Sequence, residues 1–193
     1  MSETSTMWGF AHRYPGLARG VLAVGIGWCT LGSMELETVP IAIPDDANVI
    51  IGQSHFIKTI VDVHETLAGS SPALRFGAAF CEASGPRLVR RTGNDDALTA
   101  AAVDAALAIA CGHCFVVFLR AGYPVNVLNA LKQVPEVCHI VCATANPLEV
   151  LVATTAGGRG IVGVVDGQPP LGVENDDDVL ARLELLRTIG YRV

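Results

Sequence analysis

The chain has 193 residues and a mass of 20.2 kDa, which suits one well-buried domain and is too little for two of ordinary size. Hydrophobic residues make up 51% and charged residues 17%, a composition that favours burial of further surface in a homo-oligomer. The net charge of −6 and the pI near 5.3 argue against nucleic acid as a partner, because neutralising a phosphate backbone takes clustered Lys and Arg.

Residues 1–33 differ in pattern from the rest of the chain. Arg13 and Arg19 precede an apolar, glycine-rich run from Val21 to Leu31, which is too short to span a bilayer. A basic segment before a short apolar run also outlines a signal peptide, but no A-x-A-like cleavage site follows it. We therefore expect a disordered extension or a mis-assigned start over residues 1–33, and one domain over residues 34–193 that begins at Met34.

The chain contains six cysteines, namely Cys29, Cys81, Cys111, Cys114, Cys138 and Cys142. An apolar chain of this length folds without disulfide bonds, so we interpret them as reduced core thiols. Because such thiols are typical of a reducing compartment, we expect a cytoplasmic protein.

The regular pattern starts with two β-rich runs, Glu37–Ile43 and Asn48–Gly52, which are predicted to be strands. Phe56–Ala68 has its apolar residues on one stripe and is predicted to be a helix. That helix ends at the turn Gly69–Pro72.

The middle of the chain repeats this alternation. Arg75–Cys81 is predicted to be a strand, and Asn94 to cap an alanine-rich helix that ends at Ala110 and is stopped by Gly112. Cys114–Leu119 is a continuous apolar run, which indicates a strand that is buried on both faces near the centre of a sheet.

In the last third, Pro124 begins a helix over Val125–Val134. Three strands follow, at Val137–Thr144, Glu149–Thr155 and Gly160–Val165, and the last two are predicted to form a hairpin.

Asn175 caps a final amphipathic helix whose first turn is Asp176, Asp177 and Asp178. These acids compensate the helix dipole, which explains them better than a metal site does. From the alternation of strands and helices we expect a single α/β domain with a mixed, largely parallel β-sheet flanked by helices.

Cys111-Gly112-His113-Cys114 is a C-x-x-C pattern in the form used by thiol–disulfide exchange proteins. In such enzymes the first cysteine lies at a helix N-terminus, where the dipole lowers its pKa, whereas Cys111 follows the end of a predicted helix. A thiol oxidoreductase that uses Cys111 and Cys114 is therefore the weakest of the functions considered.

Cys138 and Cys142 lie on one side of a predicted strand and, with Cys111, Cys114, His113 or His139, offer zinc ligands of ordinary type. Their spacing matches no established zinc pattern, and no metal site is predicted.

Two nucleotide-binding motifs also require comment. Gly158–Gly163 matches G-x-G-x-x-G, but a β-rich run follows it in place of the helix that a dinucleotide site needs, so we interpret it as a hairpin turn. The sequence contains no G-x-x-x-x-G-K-[ST], which excludes a P-loop.

Polar residues at strand ends and in loops remain as candidate ligand contacts, because ligands of α/β sheets bind at the carboxyl ends of strands. They are Gln53, Ser54, His55, Glu82, Ser84, Gly85, Arg87, Asn94, Asn126, Asn129, Thr144 and Asn146.

One phosphate subsite is predicted within this set. The Ser84-Gly85 turn offers free backbone N–H groups, Arg87 grips an anion bidentately, and the helix that begins at Asn94 presents its positive end. Ordinary turns with exposed arginines are nearly as good an explanation from composition alone. A lone histidine after a strand, such as His55, is more often a surface or hydrogen-bonded residue than a catalytic base.

Several segments resemble the adenosine-specific kinase family, and they occur in the same order over nearly the whole stretch from Met34 to Tyr191. These segments are Asn48–Lys58, Phe80–Leu88, Thr92–Asp95, Tyr123–Ala130, Val134–Val137 and Ala143–Pro147.

The resemblance implies a three-layer α/β fold, a homo-oligomer, and a site for adenosine or AMP. It further implies phosphorylation of adenosine by ATP with Mg²⁺ or by another phosphate donor. On this hypothesis Asn126, Thr144 and Asn146 bind the base or ribose, Ser84, Arg87 and the helix at Asn94 hold phosphate, and Glu82 or Asp166 orients the attacking hydroxyl or Mg²⁺. The alternative is a sensor that binds AMP, or an enzyme that acts on another adenylated metabolite.

Overall fold

The structure is a computed structural model, and it describes residues 34–193. The expectations for residues 1–33 lie outside the described residues. The elements, in chain order, are β1 (Glu35–Ile41), β2 (Asn48–Ser54), α1 (Thr59–Ser70), β3 (Arg75–Cys81), β4 (Val89–Gly93), α2 (Asp96–Ile109), β5 (Cys114–Arg120), α3 (Pro124–Leu131), β6 (Val137–Thr144), β7 (Leu148–Thr155), β8 (Gly158–Asp166) and α4 (Asp176–Thr188).

The strands form two antiparallel sheets. Five strands are ordered β4-β3-β5-β2-β6, and three strands are ordered β1-β7-β8. Each neighbouring pair in both sheets is antiparallel. The expectation of a mixed, largely parallel sheet is therefore wrong.

The error has a physical cause in the helical connections. Helix α1 joins β2 to β3, and these two strands do run in the same direction, as in any β-α-β unit. They are not neighbours, however, because β5 lies between them and runs the opposite way. The connections through α2 and α3 skip one strand in the same manner, which is the split β-α-β arrangement.

The five-stranded sheet is covered on both faces. On one face lies a core to which α1 and α3 contribute Val63, Leu67, Val127 and Leu131. On the other face α2 packs beside the three-stranded sheet, in a second core that includes Leu98, Val39 and Val150. Because β5 contributes to both cores, Cys114–Arg120 is the central strand that its apolar run predicted.

Most predicted elements occur with small shifts in their bounds. The strands Arg75–Cys81 and Val137–Thr144 and the hairpin of β7 and β8 are confirmed. The first helix begins at Thr59, not at Phe56.

Two further details of the middle region differ from the prediction. No strand was predicted at the position of β4, which is a half-exposed edge strand that contains Arg90 and Arg91. Asp95, not Asn94, caps α2, and the helix ends at Ala110 in the left-handed conformation, two residues before Gly112.

Asn175 caps α4 as predicted, through hydrogen bonds that its side chain accepts from the backbone N–H groups of Asp177 and Asp178. None of the four described helices is both long enough and apolar enough to cross a membrane.

Candidate functional site

The sequence-predicted site residues fall at two opposite ends of the five-stranded sheet. At the first end, which we call the Tyr123 end, β4, β5 and β6 stop and β2 and β3 start. At the second, the Ser54 end, β2 and β3 stop. The Tyr123 end contains Asn94, Asn126, Asn129, Thr144 and Asn146, and the Ser54 end contains Gln53, Ser54, His55, Glu82, Ser84, Gly85 and Arg87.

The structure does not assemble the predicted phosphate subsite. Asn94 bonds to the start of β3, where its Oδ1 accepts from the Phe76 N–H (2.8 Å) and its amide donates to the Leu74 carbonyl (2.8 Å). Ser84 and Arg87 follow the far end of that strand, roughly 20 Å away at the usual rise per residue. The side chain of Asn94 is thus occupied with holding the β3–β4 pair.

Glu82 closes the loop that contains Ser84, Gly85 and Arg87. Its Oε2 accepts from the Leu88 N–H (2.8 Å), and its Oε1 accepts from Arg90 Nε (2.9 Å). The Leu88 hydrogen bond, and then that of Arg90, lower the pKa of this carboxyl. Both oxygens are engaged, so Glu82 orders the loop and has no free oxygen directed at a ligand.

The exposed Arg87 has a left-handed backbone, with φ of 53°. It lines a cavity of about 630 Å³ together with Cys111 and Arg159. The loop therefore presents Arg87 toward the end of α2, away from the Tyr123 end.

Ser54 is buried, and its hydroxyl has no hydrogen-bond partner among the described residues. Its backbone N–H donates to the His113 carbonyl (3.0 Å), and the next N–H, of His55, donates to the Glu136 carbonyl (3.1 Å). Glu136 is also buried, and sequence analysis missed it. Gln53 and His55 have exposed side chains beside this pair.

Two cavities open at the Tyr123 end, with volumes of about 680 and 510 Å³. Asn48 and Tyr123 line both of them, so the cavities form two halves of one depression, which we call the Tyr123 cleft. Asn146 lines the larger half, and Asn129 and Thr144 line the smaller half. The Tyr123 side chain is 66% exposed between them.

A polar network connects the cleft to the end of β8. The Thr144 hydroxyl donates to Asp166 Oδ1 (2.7 Å), and the Asn146 amide donates to the same oxygen (3.0 Å). The Asn146 N–H in turn donates to the Thr144 hydroxyl (3.0 Å). Sequence analysis named all three residues separately, and the structure joins them.

Gly167 allows the chain to turn beside the network of Thr144, Asn146 and Asp166. Its φ is 69°, and a Cβ there would lie 3.2 Å from the Asn146 amide nitrogen. The Gly167 N–H donates to the Pro147 carbonyl (3.0 Å). A larger residue would push Asn146 away from Asp166.

Asn126 has a local structural task, because its Oδ1 accepts from the Tyr123 N–H (2.8 Å) and caps α3. Sequence analysis missed Asn48, Tyr123 and Lys132 as cleft residues. Asn48 starts a strand and Tyr123 precedes a helix, but only the antiparallel strand order shows that these two positions meet.

The thiols do not form an activated pair. Cys111 and Cys114 are both buried, and burial raises the pKa of each thiol above its usual value. Burial likewise raises the pKa of Cys81 to about 11 and of Cys142 to about 11. Within residues 34–193, no three His, Cys, Asp or Glu side chains are arranged to hold a metal ion.

A family model described as adenosine specific kinase matches residues 39–192. The chain belongs to the adenosine-specific kinase family. Among solved structures, the chain is similar to the PH1918 protein of Pyrococcus horikoshii OT3, with 41% identity and a TM-score of 0.80. That match covers 83% of this chain and 99% of the other. No curated protein shows significant similarity.

The segments that indicated the adenosine-specific kinase family can now be placed. Asn48–Lys58 and Tyr123–Ala130 each begin at the Tyr123 cleft, and Ala143–Pro147 contains the Thr144 and Asn146 partners of Asp166. Phe80–Leu88 contains the Glu82 loop at the Ser54 end. The cleft is thus the place where three of these segments meet.

Proposed function

We propose that the protein binds adenosine or AMP in the Tyr123 cleft and transfers a phosphoryl group from a nucleoside triphosphate to adenosine. The observation that supports this most is the network of Thr144, Asn146 and Asp166 beside a cleft with an exposed aromatic ring. Family membership supplies the substrate class.

The cleft offers the groups that a nucleoside needs. The exposed ring of Tyr123 is a stacking surface for adenine. The amides of Asn48 and Asn129, which both line the smaller half, supply donors and acceptors for the base edge and the ribose hydroxyls. Recognition therefore uses one ring face and several neutral polar groups.

In the transfer step, the adenosine hydroxyl oxygen forms a bond to the γ-phosphorus, and the bond from that phosphorus to the β,γ-bridging oxygen breaks. Asp166 accepts the hydroxyl proton, and Thr144 and Asn146 hold its carboxylate in place. Lys132, at the rim of the smaller half, offsets phosphate charge.

Mg²⁺ enters as part of the nucleotide substrate in this proposal. One carboxylate together with donor phosphates is an ordinary magnesium environment. Asp166, which accepts hydrogen bonds from Thr144 and Asn146 of the cleft, is a candidate for it, beside Asp45 and Asp46, which line the larger half. We also propose that the protein acts in the cytoplasm, since its described cysteines are free thiols.

The test combines calorimetric titration of the protein with adenosine and AMP and an assay for AMP formed from adenosine and MgATP. Asp166→Asn should lower turnover roughly 10²- to 10⁴-fold with adenosine affinity changed only a few-fold, because it removes a proton acceptor. Tyr123→Ala should weaken adenosine binding roughly 5- to 150-fold. Asp176→Asn, on α4, is the matched control and should change neither quantity.

Two results would contradict this assignment. Full turnover in Asp166→Asn would show that Asp166 takes no part in the reaction. Unchanged adenosine binding in Tyr123→Ala would show that the nucleoside does not bind in the Tyr123 cleft. Arg87 provides a further comparison. Because it lies at the Ser54 end, Arg87→Ala should leave turnover unchanged, whereas the phosphate role expected from sequence requires a strong loss.

A non-catalytic AMP sensor is the second candidate. It is favoured by the scarcity of positive charge at the cleft, since Lys132 is the cation that lines the two halves within the described residues. Binding of AMP without any turnover of adenosine and MgATP would support the sensor over the kinase.

A further inference from the structure

The C-x-x-C segment from Cys111 to Cys114 forms a tight turn between α2 and β5. The Cys114 N–H donates to the Cys111 carbonyl (3.2 Å), and His113 has a left-handed backbone with φ of 63°. A turn closed by such a bond brings its first and fourth Cα atoms within about 7 Å of each other. Disulfides join cysteines whose Cα atoms are roughly 4.4–6.8 Å apart. The turn therefore holds its two cysteines at a separation that a disulfide bridges.

The side chains of Cys111 and Cys114 enter the same core. Both are buried in the core that contains Leu98 and Val150, on the face of the five-stranded sheet that α2 covers. The structure shows both as free thiols. Because they meet on one side of the sheet, a bond between them does not require the strands to change places.

Cys111 is the member of the pair with a route to solvent. It lines the cavity of about 630 Å³ that also contains Arg87 and Arg159, and Cys114 lies behind it. The Cys111 thiol and Arg159 Nε both donate to the Ile109 carbonyl, over 3.5 and 3.1 Å. Burial raises the pKa of Cys111, and the guanidinium beside it lowers that pKa in part.

The competing thiol is Cys81, which lines the same cavity. Its thiol donates to the Ala106 carbonyl (3.5 Å), and burial raises its pKa to about 11. Thiolate is the form that reacts with oxidants, so the thiol beside a guanidinium reacts first. Cys111 is therefore the residue that an oxidant in the cavity attacks.

The backbone of the turn connects three strands. The His113 carbonyl accepts from the Ser54 N–H (3.0 Å) at the end of β2, and the His113 N–H donates to the Cys81 carbonyl (2.8 Å) at the end of β3. The His113 ring stacks on Phe80, with 5.9 Å between the ring centroids. A bond that restrains the turn also restrains the Ser54 end of the sheet.

We propose that Cys111 and Cys114 form a reversible disulfide when the protein meets a hydroperoxide, and that this bond locks the turn at the Ser54 end. The Cys111 sulfur attacks one oxygen of hydrogen peroxide and the O–O bond breaks, which leaves a sulfenic acid. The Cys114 sulfur then attacks the Cys111 sulfur and the S–O bond breaks. In each step the thiol proton goes to the departing hydroxide, so the peroxide is reduced to water while the two thiols are oxidised to a disulfide.

This role differs from that of a thiol oxidoreductase. Such an enzyme needs a thiol that a protein substrate can reach, whereas both thiols of the turn are buried. The cavity admits a molecule of the size of hydrogen peroxide and excludes a protein. Burial holds the pKa of each thiol above its usual value, so the oxidation is slow. Disulfides of cytosolic proteins are commonly transient and redox-sensing, and a low-molecular-weight dithiol reverses this one.

The test treats the full-length protein with hydrogen peroxide, blocks the remaining thiols in denaturant and maps tryptic peptides by mass spectrometry. Trypsin keeps Cys111 and Cys114 on one peptide, residues 92–120, and places Cys81 on another, residues 76–87. The expected product is peptide 92–120 with both thiols unblocked and two hydrogen atoms missing, and dithiothreitol should restore it. Cys111→Ser should abolish the bond. Cys138→Ser, which removes an exposed thiol, is the matched control and should form the bond as the wild type does.

Hydrogen exchange measures the lock itself. In the oxidised protein the amides of Ser54 and His113 should exchange at least about 5-fold more slowly than in the reduced protein. The proposal is overturned if the pair stays reduced in peroxide that oxidises Cys138, if Cys111 bonds to Cys81 or another cysteine, or if exchange at Ser54 and His113 does not change. These measurements follow a covalent bond, so they do not depend on whether the Tyr123 cleft binds adenosine.

Discussion

Gly77 lies at the closest approach of α2 to the five-stranded sheet, and replacing it with alanine will force the helix away. A Cβ at this position would lie 2.1 Å from the Thr99 backbone nitrogen and 2.2 Å from the Leu98 carbonyl carbon. Both obstacles are backbone atoms of α2, so no side chain can rotate out of the way. The helix as a whole has to move.

The size of the effect follows from what α2 buries. Ordinary contact requires more than 3.4 Å, so the helix must retreat by over 1 Å from β3. That movement loosens the packing of Leu98, Ala102 and Ile109, which are all fully buried. Overpacking typically costs about 1–3 kcal/mol of the free energy of unfolding, and we expect the upper end of that range here because the obstacles are backbone atoms. Since a domain has only about 5–15 kcal/mol in total, the loss is a large fraction of its stability.

Urea unfolding monitored by circular dichroism measures this change, and Gly69→Ala supplies the control. Gly69 lies inside α1, and a Cβ there meets nothing within 4 Å. Alanine at that position should stabilise the protein by about 0.5–1 kcal/mol, because it favours the helix. If Gly77→Ala loses less than about 1 kcal/mol, α2 does not approach β3 as closely as described.

Three further predictions concern stability. Asn94→Ala should cost about 2–3 kcal/mol in urea unfolding and leave adenosine binding unchanged, because its side chain bonds to the Phe76 N–H in β3 and to the Leu74 carbonyl just before that strand; weakened binding in a stable variant would return Asn94 to the ligand site. Asp95→Ala should cost about 1 kcal/mol by removing the α2 cap, whereas Asp96→Ala should cost less, and equal losses would contradict the assigned cap. Burial raises the pKa of Cys81 from 9.0 to about 11, so unfolding releases a proton between these pH values and stability falls as pH rises, by up to ~1.4 kcal/mol per pH unit from this thiol. Between pH 8 and pH 10 the free energy of unfolding should fall less in Cys81→Ala than in Cys138→Ala. An equal fall in the two variants would refute the raised pKa of Cys81.

The sequence was informative about local structure and less so about how the strands pair. The apolar run at Cys114–Leu119 identified the central strand, and Asn175 identified the start of α4. The alternation of strands and helices led to the expectation of a largely parallel sheet, which is wrong, although β2 and β3 do run in the same direction. It does not contain the information that β5 inserts between them, because strand pairing is decided by contacts between residues far apart in the chain.

The same limit applies to the candidate site. Thr144, Asn146 and Asp166 were chosen singly as polar residues, and the structure shows that they share hydrogen bonds. The structure does not bring Arg87 to the helix at Asn94, because β3 and β4 are antiparallel: Cys81 at the end of β3 pairs with Val89 at the start of β4, and Gly93 lies at the other end of the sheet. Residue type and position identified candidates, and only the topology could group them.

The pairing of β1 with β7 affects how the protein is made. Val39 and Ile41 leave the ribosome early, but their partners Val150 and Leu148 are synthesised over a hundred residues later. At ordinary rates of translation that delay is roughly 5–20 s. During this time one apolar face of the five-stranded sheet lacks the three-stranded sheet that later covers it. A nascent chain that stalls before β7 therefore exposes that face to aggregation, and it depends on chaperones until synthesis resumes.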